Sequence, residues 1–195
     1  MKSVNKIPIW FMRQAGRYLP EYMRIRTQNS DFLKLCFDPC LASEISLQPI
    51  RRFDLDFIIL FSDILVIPYA LGQNVHFLKN HGPSLNPINS KTELQYRSLN
   101  KCLDKIYNIF ETIKILNSKK GTKNLIGFCG GPFTVLNYMV EGGSSKTHSK
   151  IKKFIKEKNK EAKEIIKIIT ELSIEYLKKQ IECGADYVQI FESWA

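Results

Sequence analysis

A chain of 195 residues carrying a net charge of +10 is long enough for one domain with a sizeable core. Its 44% hydrophobic and 25% charged content is that of a soluble globular protein, and its longest apolar run, FIILFSDILVIPYALG, is interrupted by Ser62, Asp63 and Pro68 and falls short of the roughly 20 apolar residues of a membrane span. The positive excess invites a nucleic-acid reading, but eleven Lys between Lys146 and Lys179 alternate with Glu157, Glu161, Glu164, Glu171 and Glu175, which describes a solvated helix face and leaves neither nucleic acid nor membrane as an expected partner.

The amino terminus, MKSVNKIPIWFM, lacks the apolar block and small-residue cleavage site of a secretory signal. Five cysteines, at 36, 40, 102, 129 and 183, are odd in number and without a CxxC pair. They read as reduced thiols of a cytoplasmic protein, with Cys129 and Cys183 buried. The chain has 22 Lys but seven Arg, and four of the seven fall between positions 13 and 26. Guanidinium forks bind carboxylates in two-point contacts that ammonium groups cannot reproduce. Arg13 and Arg17 therefore suit a polyanionic ligand, or else anchor the amino-terminal arm by salt bridges.

Residues 39–52 predict a short helix, with Asp38 as N-cap, Pro39 at the first position and a disturbance at Pro49. Phe57 to Phe61 is apolar on both faces and fits a parallel strand covered on both sides. VHFLKNHGPSLN reads as a strand and a turn, and residues 91–117 as a helix. NLIGFC, residues 124–129, is a second strand, followed by GGPFT and the helical VLNYMVE. From Lys150 to Cys183 apolar residues recur at helical spacing, with Gly184 as the stop, and ADYVQIF is a third strand. Strand, helix, strand, helix, strand describes right-handed crossovers on a parallel sheet. A closed barrel of eight such units takes about 250 residues, so residues 1–195 read as a single domain forming the front part of a (β/α)8 barrel. An open doubly wound sheet is the alternative.

Active sites of parallel sheets collect at the carboxyl ends of the strands. Ser62 and Asp63, Gly130 and Gly131, and Glu192 and Ser193 stand there. A carboxylate after five apolar residues is costly to bury without donors, so Asp63 either meets a ligand or caps the next segment. The glycines of CGGPF allow close backbone approach or positive φ. No GxxxxGK[ST] or GxGxxG motif supports a nucleotide cofactor. His76, His81 and His148 show no ligand spacing, and Cys36 and Cys40, four apart on what reads as one helix, are a poor metal pair. Ser193 lacks a GxSxG context and suits hydrogen bonding.

PIWFMRQAGRYLPEY resembles the amino-terminal signature of the uroporphyrinogen decarboxylase family, and FSDILVIPYALG, GFCGGPFTVLNYMVEGG and GADYVQIFESWA resemble three further blocks of it in the same order. The resemblance implies a distorted (β/α)8 barrel that forms a homodimer and works without metal or organic cofactor. Its reaction removes CO2 from the four acetate side chains of uroporphyrinogen III, giving coproporphyrinogen III in haem biosynthesis. By motif, Arg13 and Arg17 bind substrate carboxylates, with Arg13 the candidate proton donor. Asp63 receives the pyrrole N–H groups and stabilises positive charge, Tyr138 and Ser193 hydrogen-bond carboxylates, and Gln14 and Ala15 contribute backbone shape to the pocket. The family's chains run well past Ala195, so this chain reads as an amino-terminal fragment, inactive or poorly folded alone. The rival readings are a corrinoid-dependent methyltransferase of the same superfamily, with zinc on His and Cys, and a non-enzymatic basic binding protein.

Overall fold

The computed structural model of the chain describes residues 7–78 and 82–195. An extended arm leads from Ile7 into helix α1 (Pro20–Gln28), whose rigid first residue is a proline. Asp31 then starts α2 (Phe32–Cys36) by accepting the N–H groups of Leu33 and Lys34 at 3.0 and 3.1 Å. Asp38 starts α3 (Pro39–Arg52) by accepting that of Leu41 at 2.9 Å. The bounds of α3 are those read from sequence. The expected disturbance at Pro49 is absent: the helix continues to Arg52, and Phe53 N–H closes onto the Pro49 carbonyl at 2.8 Å. Proline removes only the one hydrogen bond its own N–H would have donated, and burial of Leu47, Gln48 and Pro49 holds the helix together across it.

Strand β1 (Phe57–Ile59) is followed by the short α4 (Val66–Ala70) and by an antiparallel hairpin of β2 (Val75–Leu78) and β3 (Gly82–Leu85). The single strand expected here is thus two, joined through residues outside the described set, which include His81. The helix expected over 91–117 is a 3-10 turn at Lys91–Glu93 followed by α5 (Leu99–Lys105) and α6 (Tyr107–Lys119). Ser90 and Ser98 each accept a backbone N–H and so start separate segments. Strand β4 (Asn124–Gly130) and α7 (Pro132–Glu141) come next. The long amphipathic segment is also two helices, α8 (Ser149–Glu157) and α9 (Asn159–Glu182), broken at Lys158, whose ammonium donates to the Asn89 carbonyl at 2.8 Å. Gly184, at φ +112°, ends α9 in a conformation that side chains disfavour, and β5 (Tyr187–Phe191) follows.

Strands β1, β4 and β5 form a parallel sheet in that order. That order follows the chain with no reversal among the described strands, as in an arc of barrel wall. The main core fills the space between this sheet and α4 to α9, with Ile58, Leu125, Ile113, Ile165 and Tyr176 fully buried. Two smaller cores lie beside it, one around Leu19, Tyr22, Leu35 and Ile45, the other around Leu33, Leu65, Val75 and Leu85. No helix among the described residues is long and apolar enough to cross a membrane.

The arm is fastened to the free edge of β1. Ile9 N–H donates to Asp56 Oδ2 at 2.8 Å, and the buried Gln14 side chain donates to the Phe57 carbonyl at 2.9 Å and accepts from Ile59 N–H at 3.2 Å. One side-chain amide thus satisfies two backbone groups that a neighbouring strand would otherwise meet. Gln14→Leu is expected to leave both groups unpaired and to lower stability by about 1–3 kcal/mol in urea unfolding.

Candidate active site

After Leu60 the chain leaves the sheet, and Phe61 N–H is taken by Ser46 Oγ of α3 at 2.8 Å. Asp63 comes two residues later at the end of this departing segment. Its Oδ1 accepts the N–H of Leu65 at 2.8 Å, at the turn into α4. Burial pushes its carboxyl up from the ordinary 3.8 to about 6, with the Leu65 N–H pulling the other way. Of the two alternatives read from sequence, the local one is seen: Asp63 holds the turn into the next segment through Leu65 N–H, and it also lines a cleft.

That cleft encloses about 490 Å³ at the carboxyl ends of the strands, where the three cores meet. Its walls are aromatic. Phe61 lies edge-on to Tyr22 and Phe32, at 6.0 and 5.6 Å between ring centres, Phe32 meets Phe77 of the hairpin at 4.6 Å, and Phe128 meets Phe191 at 5.3 Å. Arg13 and Ala15 enter from the arm, Asp63 from the end of β1, and Tyr138 from α7. Burial raises the Tyr138 phenol above its ordinary value, and the negative charge of Asp63 adds to the rise, so the two groups sense each other across the cleft.

Arg13 is exposed and makes no hydrogen bond or ion pair among the described residues. The salt-bridge anchoring considered for it belongs to other arginines: Arg51 binds Glu44 and Arg52 binds Glu21, each through two hydrogen bonds. Arg26 is spent on the carbonyls that end α1. Arg17 is exposed and stands outside the residues lining the cleft, but its charge reaches Tyr22. Burial raises that phenol, and Arg26 and Arg17 oppose the rise.

Two other expected residues are placed differently from Arg13 and Asp63. Gln14 borders the cleft, but its amide is committed to β1. Ser193 lies outside the lining with an exposed side chain, and its N–H donates to Thr134 Oγ1 at 2.9 Å. Its neighbour Glu192 accepts the N–H groups of Phe133 and Thr134 at 3.0 and 2.9 Å, filling the positive amino end of α7. Gly131 is needed for this closure, since a Cβ there would sit 2.3 Å from Glu192 Oε2. Of the two roles open to that glycine, close approach is the one used. The backbone φ there is an ordinary −63°.

Cys36 and Cys40, expected on one helix, stand on α2 and α3 with Asp38 between them. Cys129 is buried as expected, whereas Cys183 is half-buried. Among the described residues no three His, Cys, Asp or Glu side chains gather as a metal site. The sequence reading did not find Tyr22, Phe32, Phe77 or Pro83, which line the cleft. Helix α1 buries only Tyr22 and α2 spans only five residues, too little for apolar periodicity to register.

An arc of parallel strands with a cleft at their carboxyl ends, bordered by the Asp63 carboxylate and the exposed Arg13 guanidinium, defines a partial β/α barrel with a candidate site at its strand ends. The family profile described as uroporphyrinogen decarboxylase (URO-D) matches residues 1–195. The chain belongs to that family. Curated relatives named uroporphyrinogen decarboxylase include those of Neorickettsia sennetsu, 51% identical over 98% of this chain and 58% of the relative, and Rickettsia felis, 45% identical over 100% and 56%. That of Orientia tsutsugamushi is 48% identical over 98% and 56%. The chain thus spans a little over half the length of these relatives. Among solved structures, a methyltransferase from Methanosarcina mazei superposes with a TM-score of 0.77 over 97% of this chain and 55% of that one, at 23% identity. That likeness concerns the fold.

Proposed function

We propose that this chain serves the decarboxylation of uroporphyrinogen III to coproporphyrinogen III, binding the polycarboxylate tetrapyrrole in the aromatic cleft. The observation that carries the reading is the convergence of Arg13, Asp63 and Tyr138 on one apolar cavity, in a chain of this family. The reading includes a homodimer in the cytoplasm that needs no metal or organic cofactor.

Each acetate leaves as CO2 only when the electrons of its C–C bond have a sink. Protonation of the adjacent pyrrole ring carbon supplies one, since the ring becomes cationic and accepts that pair as CO2 departs. The exocyclic carbon then takes a proton to become a methyl group as the ring carbon returns its own, so each cycle consumes one proton net. Asp63, facing the macrocycle, accepts the pyrrole N–H groups and offsets the developing positive charge. It is held in place beforehand by Leu65 N–H, which lowers the reorganisation needed during the reaction. Arg13 grips a substrate carboxylate by its fork, aided by Arg17 at the rim, and Tyr138 and Ser193 offer hydroxyls to others. Ala15 and the backbone around Gln14 shape the wall.

Anaerobic incubation of uroporphyrinogen III with a protein that carries these residues within a complete barrel, followed by oxidation and separation of the porphyrins, is expected to show products that have lost one to four carboxyl groups, and the 195-residue chain alone is expected to show none. Fluorescence titration with uroporphyrin is expected to show binding that weakens in Arg13→Ala. A folded protein with the complete barrel that neither binds the porphyrin nor releases CO2 would refute the reading.

A further inference from the structure

Strand β1 pairs with the first half of β4 alone, Phe57–Ile59 against Asn124–Ile126. Asn124 N–H donates to the Asp56 carbonyl at 3.3 Å and Leu60 N–H to the Ile126 carbonyl at 3.0 Å. A parallel ladder repeats every two residues, so its continuation would send Phe128 N–H to the Leu60 carbonyl and Ser62 N–H to the Phe128 carbonyl. Gln180 of α9 takes both places instead. Fully buried, it accepts Phe128 N–H at 2.9 Å through Oε1 and donates to the Phe128 carbonyl at 3.0 Å through Nε2. Gly127 is its complement, because a Cβ there would lie 2.1 Å from Gln180 Oε1.

One turn along α9, Tyr176 is also fully buried and turns its hydroxyl toward Ser62, although neither group makes a hydrogen bond of good geometry. The released segment is received from the other side, where Ser46 holds Phe61 N–H and Asp63 closes onto Leu65.

We propose that Gln180, supported by Tyr176, is a positioning residue for Asp63. Its amide ends the β1–β4 ladder at Leu60 and turns residues 61–63 out of the sheet and into the cleft. The kinetic consequence rests on the proposed function, whereas the structural one does not.

Gln180→Met keeps the length of the side chain and removes both hydrogen bonds. Amide hydrogen exchange in the purified chain is expected to quicken about tenfold at Phe128 and at Leu65, whose N–H Asp63 holds. Leu33 and Leu41, capped in the same way by Asp31 and Asp38, keep their rates. Gly127→Ala pushes the amide aside without touching α9, and it is expected to give the same pair of changes should Gln180→Met not fold. In uroporphyrinogen turnover both variants lower kcat by about tenfold to a hundredfold with KM unchanged. Faster exchange at Phe128 with Leu65 unaltered overturns the proposal, and so does acceleration that includes Leu33 and Leu41. A wild-type protein with the complete barrel that shows no turnover, with the variants showing the local exchange pattern, rejects the decarboxylase reading and leaves the positioning role standing.

Discussion

Asp63→Asn is expected to cut decarboxylation by about 10³-fold while making the fold more stable at pH 8. The side-chain amide keeps an oxygen for Leu65 N–H, so the local turn survives, but the counter-charge to the cationic pyrrole is gone. The gain in stability follows from the sign of the shift. The folded-state value of about 6 lies above the ordinary 3.8, so between these values the folded chain holds a proton that the unfolded chain has released. Stability therefore falls as pH rises through that window, and the burial of a charged carboxylate weighs on the fold at every pH above it. Removing the charge should restore on the order of 2 kcal/mol at pH 8 and nothing at pH 3.5. Thermal melts at the two pH values test this directly. In the wild-type chain kcat/KM is expected to fall below pH 6 as Asp63 takes up its proton. Equal melting temperatures for wild type and variant at pH 8 would show that the carboxyl is not strained by burial.

Arg13→Lys is expected to raise KM for uroporphyrinogen by about tenfold to a hundredfold, although the charge is retained. The forked, two-point contact is worth roughly 1.5–3 kcal/mol, and a single ammonium cannot span both carboxylate oxygens. Because Arg13 has no internal partner among the described residues, the substitution breaks nothing in the fold, and the melting temperature should stay put. A guanidinium is a poor acid near neutral pH, so kcat at saturating substrate is expected to hold. If kcat falls while KM is unchanged, Arg13 delivers the proton rather than gripping the substrate.

The strands and the strand-end chemistry could be read along the chain because their signals are local. NLIGFC is buried on both faces, α3 carries its own cap and proline start, and Asp63 stands out as a charge at the end of an apolar run. Where the reading went astray, the deciding contacts are distant in sequence. The arm's Gln14 pairs with β1 across 43 residues, and Gln180 reaches Phe128 across 52. On α9 Gln180 looks like one more polar position of an amphipathic helix. The signal that could have pointed to it is Gly127, a residue without a side chain in the middle of a strand, which marks a place where something else comes close. The amphipathic period could not reveal the break at Lys158, since the apolar stripe passes across it without changing phase.

The two outer edges of the sheet are unlike each other. Along β1 the rungs are occupied by the chain's own arm, through Gln14. Along β5 no described strand pairs with the outer edge, and Tyr187 and Ile190 are 54% and 51% exposed beside it. Among the described residues, therefore, β5 is the edge at which a further strand can extend the sheet, while the arm keeps β1 from serving as a second one.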